Sequence, residues 1–204
     1  MPNQATLQVA QLTATQVGAN QLPSCTTLLG NRDILRHPLL ALFCSVRCPG
    51  NLILQTYDLA RALRDAGTVI VGGFHTPMEK ECLALLLRGT QPVVICPARG
   101  LDGMRLPTAW KTPLAEGRLL LLSPFPASER RVTADLAAAR NTFVAHIAAR
   151  VFVAHAAPGG RTHALCRDTL AAGKPLLTLD DPANAALITL GAHPIRPHDA
   201  GRIP

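Results

Sequence analysis

The feature that most constrains the fold is an alternation, starting near residue 38, of short apolar runs with amphipathic stretches. Each apolar run is bounded by Gly, Pro or a charged residue, as expected of a strand that is buried on both faces. The stretches between the runs carry apolar residues at helical spacing, as at Leu59 and Leu63. Strands that alternate with helices build a parallel sheet through right-handed crossovers. The sequence therefore predicts an α/β, Rossmann-like, doubly wound and mostly parallel sheet of about six strands.

The pattern also predicts the bounds of these elements and of the domain. The predicted strands cover residues 39–45, 68–72, 92–96, 119–123, 150–154 and 175–179. The predicted helices cover residues 52–65, 78–88, 134–148 and 161–172. We expect one Rossmann-like domain over residues 26–195. Residues 1–25 are predicted to be a polar extension of unassigned function, and residues 196–204 an irregular C-terminal tail.

Composition excludes two classes of protein. Hydrophobic residues make up 48% of the 204 and charged residues 16%, which is too apolar for an intrinsically disordered chain. The apolar runs are shorter than the roughly 18 residues of a membrane-spanning helix, so we expect no membrane contact. The first residues lack the basic start and apolar centre of a secretory signal, and we expect a cytoplasmic protein.

Six cysteines lie mostly within the apolar segments, where we expect reduced thiols that pack as small hydrophobic side chains. Cys44 and Cys48 form a C-x3-C pair, but no second pair stands at the spacing of a zinc site. The sequence therefore predicts no metal ligands and no cofactor.

The formal net charge is +7, from 20 basic and 13 acidic side chains, and lysine appears only at positions 80, 111 and 174. Arginine favours bidentate contact with phosphate, so the excess is compatible with an anionic ligand. The alternative is that a high arginine content reflects a GC-rich genome and that the charge only keeps the protein soluble. Composition leaves both open.

Candidate ligand-binding residues follow the predicted strands, because open α/β sheets bind ligands beyond the carboxyl ends of their strands. Ser45 and Arg47 follow the first strand, and the pair Gly72 and Gly73 ends the second, with His75 in the loop beyond. A hydroxyl, a guanidinium and exposed backbone amides before a helix are groups that bind phosphate. The sequence thus predicts an anion site at these loops.

The loop after the fifth strand repeats this arrangement. Gly159 and Gly160 free backbone amides, and Arg161 and Thr162 stand at the predicted helix start. Arg140 and Asn141 lie in the helix before that strand and have two interpretations, a phosphate contact or a solvated helix face. No catalytic residue is predicted.

The order of these motifs resembles the DprA/Smf (DNA-processing protein A) family of the Smf/LOG Rossmann-like superfamily, over residues 28–192. The run ending in Ser45 and Arg47 stands where the family has Gly-Ser-Arg, with the arginine displaced by one residue. Residues 72–79 stand where it has Ser-Gly-Leu-Ala-Arg-Gly-Ile-Asp, without the arginine. The Arg140-Asn141 step is the most specific local match.

The resemblance implies binding of single-stranded DNA on a basic pocket, without catalysis, in DNA processing and recombination of the natural-transformation type. It also implies a RecA-type recombinase as partner and a homodimer. Single-strand binders stack bases on aromatic rings, yet only 3% of this chain is aromatic, so backbone contacts should dominate. Phe74 and Trp110 are the aromatic candidates for stacking, and packing roles are expected for both.

The alternative is a LOG-like nucleotide phosphoribohydrolase or a nucleotide-sensing domain that uses the same pocket. Residues 158–162 resemble the Pro-Gly-Gly-x-Gly-Thr-x-x-Glu loop of those enzymes, but one Gly and the terminal Glu are missing. Glu79 is the residue that would stand in as general acid or base.

Overall fold

The computed structural model describes residues 9–11, 16–17 and 20–203. The strands are β1 (Ala10–Gln11), β2 (Gln16–Val17), β3 (Asn20–Gln21), β4 (Thr27–Gly30), β5 (Leu39–Phe43), β6 (Val69–Gly72), β7 (Val93–Ile95), β8 (Leu119–Ser123), β9 (Arg150–Val153), β10 (Leu176–Leu179) and β11 (His193–Ile195). The α-helices are α1 (Gly50–Asp65), α2 (Pro77–Leu86), α3 (Thr108–Ala115), α4 (Ala134–Ile147), α5 (Arg161–Ala171) and α6 (Ala185–Leu190). Short 3-10 helices cover Arg32–Arg36, Pro182–Asn184 and Pro197–Arg202.

One sheet organises the part of the chain that the structure describes. Its nine strands run in the order β1-β4-β8-β7-β6-β5-β9-β10-β11, and β2 and β3 form a separate pair. Strands β5 to β11 are parallel, whereas β4 pairs antiparallel with β8 and β1 pairs antiparallel with β4. The chain winds outward from β5 through β8, then returns to place β9 on the other side of β5. The carboxyl ends of β5 and β9 therefore flank a topological switch point, the usual ligand site of such sheets.

Helices cover both faces of the sheet, so the predicted doubly wound, mostly parallel fold is confirmed. Within β5, Leu40 and Leu42 pack with apolar residues of α1 and α2, whereas Leu39, Ala41 and Phe43 pack with those of α4 and α5. All five residues are buried. Because successive side chains point to opposite faces, a continuous apolar run is what a strand inside two layers of helices requires.

The six predicted strands and four predicted helices are all present, with bounds shifted by no more than two residues. The estimate of about six strands was too low, because β1, β4 and β11 extend the sheet at its two edges. These strands have two to four residues, and Pro194 interrupts the apolar pattern of β11. Helices α3 and α6 are likewise short, and α3 contains Pro113.

The terminal segments differ from the irregular structure that their composition suggests. Ala10 and Gln11, within the predicted extension, pair with β4. Residues 197–202, within the predicted tail, form a 3-10 helix that packs against α1 and buries Ala200. The rest of the predicted extension, residues 1–8, 12–15 and 18–19, and Pro204 lie outside the described residues. Within the described residues, no helix is long and apolar enough to cross a membrane.

Candidate functional site

A cavity of about 420 Å³ lies beside the switch point, at the carboxyl ends of β5 and β6. Its walls come from the loops after these strands, from the outer face of α4 and from the first two turns of α5. Its volume is within the range of small-molecule and cofactor sites. The polar residues that line it are His75, Thr76, Glu79, Asp135, Arg140, Asn141, Thr142, Arg161, Thr162 and Asp168.

Arg140 is the buried cation of this cavity, with only 3% of its surface exposed. Its Nη1 donates to the carbonyl of Cys96 at 2.9 Å and its Nε to Oδ1 of Asn141 at 2.7 Å. Burial lowers the pKa of Arg140 below its usual range, and the nearby negative charge of Glu79 opposes that shift. No carboxylate among the described residues lies within ion-pair distance of Arg140, so Glu79 offsets its charge only from farther away. The interpretation of Arg140 as part of a solvated helix face is wrong.

Glu79 ties together the two loops that form one wall. Its Oε1 accepts from the backbone N–H of Cys44 at 3.0 Å, and its Oε2 from those of His75 at 2.8 Å and Thr76 at 3.2 Å. Thr76 completes a capping box by accepting the N–H of Glu79. Three backbone donors thus occupy a carboxylate that is only 4% exposed. This arrangement suits a structural clamp better than a general acid or base, which must exchange a proton with substrate.

Phe74, between these bonds, adopts a φ of +47°, which non-glycine residues rarely take. Its ring is 5% exposed and packs in the core on the α1 side. Trp110 packs against the same core from α3. Neither side chain lines the cavity, so the packing roles expected for both aromatics are correct.

Ser45 joins the loop after β5 to the loop after β9. Its Oγ accepts from the N–H of Ala157 at 3.1 Å, and its own N–H donates to the carbonyl of His155 at 2.9 Å. The hydroxyl is therefore held by the protein rather than turned into the cavity. Its effect on a ligand would be to fix the spacing of two loops.

The N-terminus of α5 opens into the cavity through Arg161 and Thr162. Gly160 is the N-cap and provides no side-chain hydrogen bond to the first turn, and Gly159 before it takes a φ of +71°. The first amides of a helix that lacks a capping side chain carry a partial positive charge and favour an anion. The exposed Arg161 reaches back to α4, where its Nη1 donates to the carbonyl of Ala134 at 3.3 Å.

The structure brings together part of the predicted site. The predicted residues that line the cavity are His75, Arg140, Asn141, Arg161 and Thr162. Those outside the lining are Ser45, Arg47, Gly72, Gly73, Gly159 and Gly160. Arg47 is exposed in the loop after β5. Gly73 lies against Arg140: a Cβ at this position would stand 1.5 Å from Nη1.

Sequence reasoning missed several residues of the lining, among them Val46, Asp135 and Asp168. Asp168 lies seven positions after Arg161, a spacing that returns to the same helix face and could have indicated it. Together with Glu79, Asp135 in the first turn of α4 and Asp168 in α5 bring three carboxylates to a lining that holds two arginines. An anionic ligand would therefore have to place its charge near Arg140, Arg161 and the start of α5.

Cys44 lines the cavity and contacts Cys48 through a thiol–thiol hydrogen bond. This bond and burial raise the pKa of Cys44, whereas the same bond lowers that of Cys48. All six cysteines are free. Among the described residues, no group of three or more His, Cys, Asp or Glu side chains could hold a metal ion.

Comparison with known proteins identifies the fold. DNA processing protein A from Helicobacter pylori, whose structure concerns its single-stranded DNA binding mode, superposes with a TM-score of 0.74 over 93% of this chain and 92% of that one. The chain has the fold of DprA. DprA from Streptococcus pneumoniae gives a TM-score of 0.71 over 87% of this chain, which spans only 65% of that protein's chain. The identities are 20% and 21%.

A second group of solved structures shares the Rossmann-like core less closely. The molybdenum cofactor carrier protein of Chlamydomonas reinhardtii superposes with a TM-score of 0.55 at 18% identity, over 82% of this chain and 94% of that one. No family model matches the sequence. No curated protein matches it either. The DprA resemblance predicted from the sequence is thus confirmed in the fold.

Proposed function

We propose that this chain binds single-stranded DNA in the cavity beside the switch point and acts in DNA processing or recombination, without catalysis. The phosphates would lie against Arg140, Arg161 and the first amides of α5. The bases would point outward, since in the part of the chain that the structure describes no Trp or Tyr lines the cavity, and Phe43, which does line it, is buried in the core. Affinity would come mainly from the backbone of the strand.

The observation that carries this proposal is the guanidinium of Arg140. A buried charge without an ion-pair partner is costly, and a phosphate that enters the cavity would supply one. Arg161 and the start of α5 add positive charge to the same cavity. Positive groups on α4 and α5 that line one cavity would contact successive phosphates of a strand.

The fold supports the polymer rather than a mononucleotide as ligand, because DprA of H. pylori binds single-stranded DNA. A hydrolase would need Glu79 as its general acid or base, but three backbone N–H groups already donate to this carboxylate. The hydrolase alternative is therefore less well supported. A nucleotide-sensing domain would use the same cations, and competition distinguishes it from a DNA-binding protein.

The experiment is a titration of a fluorescent single-stranded oligonucleotide at several salt concentrations. Each phosphate contact contributes a log–log slope of about −0.7, so contacts to three or more phosphates give about −2 or steeper. Mononucleotides added in excess should displace little of the strand. Complete displacement by one mononucleotide, or no binding of the strand, would replace this proposal with the nucleotide-binding alternative.

The same proposal includes a cytoplasmic location, a homodimer and transfer of the bound strand to a RecA-type recombinase. These expectations rest on the family resemblance. Light scattering of the full chain measures its molar mass in solution and so shows whether it forms a dimer. Loading of a recombinase on strands coated with a single-strand-binding protein measures the transfer. A monomer that does not accelerate loading would limit the function to strand binding.

A further inference from the structure

A second cavity, of about 290 Å³, lies on the α1 side of the sheet beneath the C-terminal 3-10 helix. It adjoins the amino ends of β9 and β11, at the edge of the sheet away from the DNA site proposed above. We propose that this cavity binds a small anion that carries a phosphate or carboxylate group.

Three basic side chains from separate elements surround it. Arg150 begins β9, His193 begins β11, and Arg202 ends the 3-10 helix. Among the described residues, none supplies an ion pair or a side-chain hydrogen bond to any of the three. The two guanidinium groups that share the cavity repel one another, and an anion between them would remove that repulsion.

The acid in the lining, Asp199, is already engaged. Its Oδ2 accepts the N–H of Arg196 at 2.9 Å, and its Oδ1 lies 3.8 Å from Nε2 of His198. Asp199 therefore fixes the first turn of the 3-10 helix rather than neutralising the cavity. The two arginines outnumber this carboxylate, so the net potential favours an anion.

The floor of the cavity is apolar and consists of Leu177, Ile195 and Ile203. All three are buried. A cationic rim over an apolar floor suits a ligand with an anionic head and a short apolar part. The volume lies at the lower end of the range for small-molecule sites, which favours a metabolite of a few carbons over a polymer.

The test uses amide chemical shifts of the ¹⁵N-labelled full chain at fixed pH, with inorganic phosphate, succinate or sodium chloride added at matched ionic strength. Phosphate or succinate should shift the amides of His193, Ile195 and Ile203 saturably, and chloride should not. The anion that saturates at lower concentration identifies the head group. Arg150→Gln and Arg202→Gln should each weaken binding about tenfold, since each removes a charge-assisted hydrogen bond.

Two control variants complete the design. Arg202→Lys keeps the charge and should retain more affinity than Arg202→Gln, whereas Arg88→Gln removes an exposed arginine of another region and should change nothing. Equal shifts with chloride, or equal affinity in wild type and Arg202→Gln, would overturn the proposal. Displacement of phosphate from these amides by an oligonucleotide would also overturn it, because the cavity would then belong to a nucleic-acid surface.

Discussion

The guanidinium of Arg140 occupies the space beside Gly73 that any other side chain would need: a Cβ on Gly73 would stand 1.5 Å from Nη1 and 1.8 Å from Cζ. The glycine at the start of the loop after β6 and the arginine of α4 are therefore one structural unit. Sixty-seven positions separate them in the sequence. The glycine permits the arginine to enter the sheet edge and to reach the carbonyl of Cys96.

Gly73→Ala should therefore displace Arg140 and weaken strand binding. We expect a loss of about tenfold in oligonucleotide affinity, because the charge moves from its place, and a fall of about 1–3 kcal/mol in the free energy of unfolding from overpacking. Fluorescence anisotropy measures the oligonucleotide affinity, and urea denaturation measures the free energy of unfolding. Gly50→Ala is the matched control, since a Cβ there meets no atom within 4 Å. Equal affinities of the two variants would contradict the coupling of Gly73 to Arg140.

Lys174 closes the C-terminus of α4. Its ammonium group donates to the carbonyls of Ala145 and Ala148, each at 2.8 Å, and to that of His146. Lys174→Met should lower the free energy of unfolding by about 1–2 kcal/mol, because the last carbonyls of the helix lose their partner. Lys111→Met, at an exposed position, should change it little. Chemical denaturation compares the two variants. Equal free energies of unfolding for Lys174→Met and Lys111→Met would contradict the capping role of Lys174.

Asp181 should make stability depend on pH. Its carboxylate accepts from the N–H of Ala183 and from the side chains of Gln55 and Asn51, and these bonds hold its pKa below the usual range. A lowered pKa in the folded state stabilises the protein above the unfolded value of about 3.9, and this contribution is lost as the pH falls through the folded value. The side chain is partly exposed, so we expect about 1 kcal/mol or less at neutral pH.

Thermal unfolding of Asp181→Asn between neutral and acid pH measures this effect. The variant should melt below wild type at pH 7, and the gap should narrow as the pH falls below about 3.9. Asp102→Asn, an exposed acid without a side-chain partner among the described residues, is the control. A gap that stays constant with pH would contradict the assignment.

Cys48 should be the first thiol to react with iodoacetamide in the native protein. The thiolate is the nucleophile, and the hydrogen bond from Cys44 lowers the pKa of the half-buried Cys48. Burial raises the pKa of Cys82, Cys96 and Cys166 to about 12 and shields them from the reagent. Peptide mass spectrometry over a time course gives the order of labelling, and the unfolded chain is the control. Equal rates of labelling at Cys48 and Cys96 in the native protein would contradict the lowered pKa of Cys48 and the burial of Cys96.

The sequence predicts the interior of the sheet because an apolar run such as residues 119–123 has one stable environment, between two layers of helices. It fails at the sheet edges, where β11 is the tripeptide His193-Pro194-Ile195 and has no alternation to detect. The sequence also fails to predict the last 3-10 helix, because this helix is stabilised by the burial of Ala200 and Ile203 against residues that are distant in the sequence. Local composition does not encode that contact.

The residues of the candidate site also divide into those that the sequence could predict and those that it could not. The loops after parallel strands share one edge by topology, so residues 75, 161 and 162 could be placed at a common site from the sequence. The neighbours of β5 and the depth of Arg140 depend on strand order and on the missing side chain of Gly73, which no local pattern specifies. Ser45 and Glu79 bear the same groups that bind ligands, but in this fold backbone amides engage them.

The most direct test of the proposed DNA site compares two exposed arginines of α5. Arg161 lines the cavity, whereas Arg167 lies outside the lining. Arg161→Gln and Arg167→Gln remove the same charge from the same helix, so any general effect of net charge is equal in both. Oligonucleotide titrations at a fixed salt concentration should show a loss of about tenfold for Arg161→Gln and little change for Arg167→Gln. Equal affinities for the two variants would contradict the claim that this cavity holds the strand.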